Sequence, residues 1–170
     1  MLSVLFLVLA ASLAVPPASL SREALLNSPH RHVRTTNADV QRLLASGFDR
    51  SPTLHALVAR LEGTDVIVYI EPVPMLPGTL AGRLLMLPYG GTQRYLRIQI
   101  TFGQSSADTI ALIGHELRHA IEIAEARNVL DEKHLIALYQ RIGDRARDDL
   151  HQYDTAAARA TGARVHREMA

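Results

Sequence analysis

The stretch from Ser105 to Asn128 constrains this chain more than any other. Ser105 and Asp108 form a capping-box-like pair, and the apolar residues behind them recur at helical spacing, so the segment predicts one long helix. On it stands His115-Glu116-Leu117-Arg118-His119. Side chains four apart on a helix project to one side, about 40° apart around the axis, so His115 and His119 can grip one cation together. Glu116 lies on the shoulder of that face, where a carboxylate can take a proton from metal-bound water and pass it to a leaving group. With 8 histidines in 170 residues, chance would produce this pattern in only about 0.02 of such chains. Two solvated histidines on an ordinary amphipathic helix are therefore the weaker reading.

The chain has no cysteine, which excludes disulfides, thiolate zinc sites, a cysteine nucleophile and a lipidated cysteine. Any metal must be held by His, Asp or Glu. A net charge of +1, with both signs scattered through the sequence, lacks the basic footprint of a nucleic-acid binder, so no nucleic-acid partner is expected. At 170 residues and 48% hydrophobic content the chain suits one domain with its own core.

Residues 1 to 15 are an apolar run of signal-peptide length, too short to span a bilayer comfortably. Ser12 and Ala14 form a small-x-small pattern, so residues 1–14 are read as a signal peptide cleaved after Ala14, with Pro16-Pro17 ending any helix. This predicts a secreted or periplasmic protein without membrane association after cleavage. No Lys or Arg precedes the run, which leaves an uncleaved anchor as the other reading. Residues 15–36 read as a linker or arm carrying a solvated His30/His32 pair, and residues 37–170 as the folded domain.

Within that domain, Asn37 caps a helix ending at Gly47, and Ser51-Pro52 opens a second helix ending at Gly63. Val66 to Ile70 predicts a buried strand, Arg83 to Leu87 a second, and the alternation Leu96, Ile98, Ile100, Phe102 a third, half-buried one whose Arg97 and Gln99 are wet. A turn is marked at Gly90-Gly91, and Asp131 caps a further helix ending at Gly143. The alanine-rich tail from His151 to Met169 should turn Tyr153, Ala157, Val165 and Met169 inward.

The string Ile113-Gly-His-Glu-Leu-Arg-His-Ala-Ile-Glu-Ile-Ala-Glu125, with Leu138-Tyr139 and Arg141-Ile142-Gly143 behind it, resembles uncharacterised bacterial proteins with the same core, and more broadly the zincin superfamily of metallopeptidases. The likeness in organisation runs from Val66 through the tail. It implies an α+β zincin-like fold: two N-terminal helices, a small three-stranded sheet packed on the active-site helix, and C-terminal helices completing a Zn2+ site. It also implies a peptide or protein substrate, with Glu116 as general base. Arg118 departs from the pattern, because residues between the two histidines are normally uncharged.

Catalytic zinc usually has three protein ligands. The elongated zincin pattern does not fit, since Glu122 stands at its glycine position and Glu125 at its ligand position. Resemblance to gluzincins, which take an acidic ligand from a later helix, implies Asp154, with Asp148 and Asp149 as fallbacks. Glu122 is the rival, but three ligands on one straight helix spread over about 10 Å of axis, too far to converge. Glu122 fits better as a partner of Arg118 or as an acceptor orienting a histidine. His134, Tyr139, His151 and Tyr153 lie where a transition-state donor is wanted, yet each reads first as a surface histidine or core-edge tyrosine. The strand from Arg94 to Phe102 is expected as the edge on which an extended peptide docks. The alternative to an enzyme is a secreted non-catalytic module with a structural metal site, or a metal-free protein. The sequence leaves the oligomeric state open.

Overall fold

The computed structural model describes residues 31–88, 91–145 and 153–170. The expected signal peptide, His30, Gly90, Asp148, Asp149 and His151 lie outside them. The described chain is α+β. Its elements run β1 (Val33–Arg34), α1 (Ala38–Arg50), α2 (Pro52–Glu62), β2 (Val66–Val73), β3 (Gly82–Met86), β4 (Arg94–Thr101), α3 (Ser106–Glu125), α4 (Glu132–Ile142), β5 (Asp144–Arg145), β6 (Tyr153–Asp154) and α5 (Ala156–Met169). None of the described helices is long and apolar enough to cross a membrane.

The helices begin where the sequence supplies caps. Asn37, Ser51, Ser105, Asp131 and Thr155 each accept a backbone N–H of the following first turn, satisfying donors that a helix cannot pair within itself. Pro52 occupies the start of α2, where its missing N–H costs nothing.

The sheet has four strands in the order β1-β2-β4-β3, rather than three. β1 comes from the end of the expected arm and pairs parallel with β2, Val33 opposite Val68. β4 is parallel to β2 and antiparallel to β3, with Leu84 opposite Ile98. β4 is thus the inner strand and β3 the edge, which overturns the expectation for Arg94 to Phe102. Neighbours on both sides consume the hydrogen-bonding groups that a docked peptide would need.

Leu96, Ile98 and Ile100 of β4 are buried on the helix-covered face, while Arg97 and Gln99 lie half-exposed on the other and pair with Glu71 and Arg83. Phe102 falls past the strand end and is exposed, so it does not continue the buried row. Gly47, expected to end α1, lies inside it: a Cβ there would meet Leu54 at 2.5 Å and Ile110 at 3.0 Å, so the missing side chain lets α1 pack on α2 and α3. In α5 the inward residue is Ala158, and Ala157 is exposed. His32 is only half-exposed rather than solvated: its backbone N–H donates to Glu62 at 2.7 Å, and its ring Nδ1 is shielded with no hydrogen-bond partner among the described residues.

One buried cation ties α3 to the sheet. Arg94, fully shielded at the start of β4, donates to both oxygens of Asp65 at 2.8 and 2.7 Å. Its remaining N–H groups reach the carbonyls of Ile123 at 2.8 Å, Ala124 at 3.1 Å, Ala126 at 2.9 Å and Val129 at 3.2 Å. These carbonyls lie in and just beyond the last turn of α3, where a helix lacks internal donors and favours a positive charge.

Candidate metal centre

α3 and α5 bring the chemical groups together by crossing closely. A Cβ on Gly162 of α5 would stand 3.2 Å from His115 Cβ and 3.3 Å from the Ala111 carbonyl, and one on Gly114 of α3 would meet Val165 at 2.8 Å. The two glycines therefore let the helix backbones approach beside His115. The segment entering α5 carries Asp154 on β6, one residue before the cap Thr155. The carboxylate named from the likeness to gluzincins accordingly comes from a short strand ahead of the last helix, not from the helix itself.

His115 Nε2 lies 3.4 Å from Asp154 Oδ1, and His119 Nε2 lies 3.5 Å from the same oxygen. One donor atom from each of the three residues fits within 4.8 Å of the others. Two donors bound tetrahedrally to one zinc ion, with bonds of about 2.0–2.1 Å, stand about 3.3–3.4 Å apart. The two distances to Asp154 match that spacing, and the third donor pair lies within 4.8 Å, so the three residues form an N,N,O group that could hold an ion. Asp154 Oδ1 also accepts the Thr155 N–H at 2.6 Å, and Oδ2 lies 3.3 Å from Arg159 Nη1, so the carboxylate is held from behind.

Glu122 stands on the other side of His119, 2.9 Å from its Nδ1, and does not join the trio. Its second oxygen accepts from Thr155 Oγ1 at 2.8 Å and faces Arg118 Nε at 3.5 Å. In the neutral tautomer in which Nδ1–H donates to Glu122, the imidazole keeps its Nε2 lone pair turned toward Asp154. Tyr139 lays its ring edge against His119, centroids 5.3 Å apart, and its hydroxyl donates to the His119 carbonyl at 3.4 Å. Burial pushes its phenol well above the ordinary range. His134 is engaged with its helix cap Asp131 at 2.6 Å, and Tyr153 is half-buried on β6.

The charges are strongly coupled. Burial pushes Glu116 up to about 7. For His119 burial acts downward, but hydrogen bonds to Asp154 and Glu122 prevail and raise it to about 9. His115, affected chiefly by burial and then by the neighbouring His119, is lowered. Asp154 resists its own burial through His119 and His115 and falls to about 2. Glu122 is likewise lowered, the His119 and Thr155 hydrogen bonds outweighing burial.

Glu116 faces the sheet. A Cβ on Gly82, the first residue of edge strand β3, would lie 3.1 Å from Glu116 Oε1 and 2.8 Å from Leu112. A side chain at 82 would press directly on the carboxylate. That glycine, the close pair Gly114/Gly162 and the Thr155 contact to Glu122 escaped the sequence reading. A helical glycine beside apolar residues was the one available signal. Comparison with protein-family models, curated proteins and solved structures finds no match to this chain.

Proposed function

We propose that the protein is a zinc-dependent hydrolase of peptide bonds, with His115, His119 and Asp154 as metal ligands and Glu116 as general base. The observation that carries this reading is the approach of the three donors to within 4.8 Å of one another, beside a buried carboxyl pushed up to about 7. When bound there, zinc would polarise a scissile carbonyl and lower the pKa of its water toward about 7.

The residues divide the remaining work. Glu116, held near neutrality by burial, accepts a proton from the attacking water and returns it to the leaving amine. Glu122 keeps the His119 ring turned, and the Thr155 hydroxyl steadies Glu122. Gly82 opens the space between Glu116 and β3, the edge strand whose free backbone groups suit an extended peptide. The apolar leader supports export, making the setting secreted or periplasmic.

Glu116→Gln should keep zinc content and fold while abolishing peptide hydrolysis; undiminished turnover would remove the mechanism. Asp154→Ala should weaken zinc binding at least about tenfold, measured by competition with a chelator. Unchanged affinity would shift the ligand role to Glu122, Asp148 or Asp149. Stoichiometric zinc with no hydrolysis of a broad peptide library would favour a non-catalytic module with a structural metal, a reading to which the charged Arg118 lends some weight.

A further inference from the structure

Arg118, the residue that fits the pentad least well, borders a second feature. It stands two residues after Glu116, about 200° round the helix, so its side chain leaves α3 on the flank away from Gly82. There lies a cavity of about 810 Å³ bordered by Arg118, Glu122, Arg127, Arg141 and the start of α5 at Ala156 and Ala157. Its cations come from separate elements: Arg118 from α3, Arg127 from the loop after it, Arg141 from the last turn of α4. Its carboxylates are already engaged, Glu122 by His119 and Thr155 and Glu125 by Arg60.

Two kinds of donor in this wall have no hydrogen-bond acceptor among the described residues. Arg118 Nε is shielded from solvent and forms no hydrogen bond, with Glu122 Oε1 at 3.5 Å, at the limit of useful contact. Shielded donors are rarely left so. Ala156 and Ala157 contribute first-turn N–H groups that a helix cannot satisfy internally, and the cap Thr155 Oγ1 takes only that of Ala158.

We propose that this cavity binds a small oxyanion, a phosphate or the terminal carboxylate of a peptide, through the guanidinium groups of Arg118 and Arg141 and the first turn of α5. Guanidinium forks match both oxyanions bidentately, and a helix start favours negative charge. Anion binding there needs neither a metal nor turnover, so metal-free protein is the material for its test.

Calorimetric titration with inorganic phosphate, and with acetyl-dialanine bearing either a free or an amidated C-terminus, should show saturable binding of phosphate, of the free acid, or of both, and none of the amide. Phosphate alone identifies a free-anion site, and the free acid identifies a peptide-end site. Arg118→Gln and Arg141→Gln should each weaken binding by about tenfold. Arg42→Gln, an exposed change on α1, should leave it unaltered. Circular dichroism checks folding, and Arg141, exposed on the last turn of α4, provides a variant that does not depend on the Arg118 substitution being tolerated. Absence of saturable binding by both anions would overturn the proposal. So would equal weakening by Arg42→Gln, or affinity untouched by both cavity substitutions.

Discussion

Replacing Arg94 with methionine asks how much of the fold depends on one buried cation. Methionine fills much of the same volume, so the loss is chiefly electrostatic. Three of the carbonyls it serves, those of Ile123, Ala124 and Val129, receive their bonds in buried surroundings, and the fourth, at Ala126, in partly buried ones. The Ile123 carbonyl keeps the Ala126 N–H at 3.1 Å, so the deep acceptors left unpaired are those of Ala124 and Val129, which at about 1–3 kcal/mol each amount to about 2–6 kcal/mol. Asp65 adds little, because its side chain is 44% exposed and can be rehydrated once unpaired. The expected loss is therefore about 3–5 kcal/mol, the range for breaking a buried ion pair. Urea unfolding followed by circular dichroism measures it. In a chain of this size each kcal/mol lowers Tm by about 2–4 °C, so a fall of about 10 °C is expected. Arg94→Lys should recover only a minor part, since an ammonium cannot reach Asp65 and the carbonyls together. A loss below about 1 kcal/mol in the methionine variant would refute the account of how α3 is tied to the sheet.

Gly162→Ala should force α5 away from His115 and cost about 1–3 kcal/mol in chemical unfolding, with weaker zinc binding in the chelator assay; unchanged stability would mean the helix crossing is loose. The metal-free protein should lose stability as pH rises from 6.5 through about 9, because His119 binds its proton more tightly folded than unfolded, a contribution fully present below 6.5. Asp154 works with the opposite sign, its contribution being present above 3.8 and lost as pH falls toward about 2. His115, lowered by burial, opposes folding as pH falls below 6.5. Thermal melts across these windows check the signs, and a flat Tm between pH 6.5 and 9 would contradict the His119 assignment. Zinc binding near neutral pH should release a proton from His119, seen in calorimetry as a heat that depends on the buffer's ionisation enthalpy.

What could be read without coordinates is what local geometry decides. Ser105, Ser51, Asn37 and Asp131 announce helix starts because capping is a contact between residues a few positions apart. The fourfold spacing of His115 and His119 puts both rings on one face in any helix, whatever surrounds it. Other features depend on residues far apart in the chain. Two residues at the end of the supposed arm became β1 only because β2 offered a partner, and β4 became an inner strand because β3 folded back on it. Gly47 stays helical because burial against Leu54 and Ile110 outweighs its weak helix propensity. Asp154 was named from a family likeness, and its approach to the histidines rests on α5 crossing α3 at Gly114 and Gly162, a contact that no local pattern encodes. The same holds for Glu122, whose neighbours in sequence suggested either a pair with Arg118 or a hold on a histidine. Packing gave it His119 Nδ1 at hydrogen-bond distance, with Arg118 at the margin, because burial rewards the partner that can satisfy the carboxylate at close range.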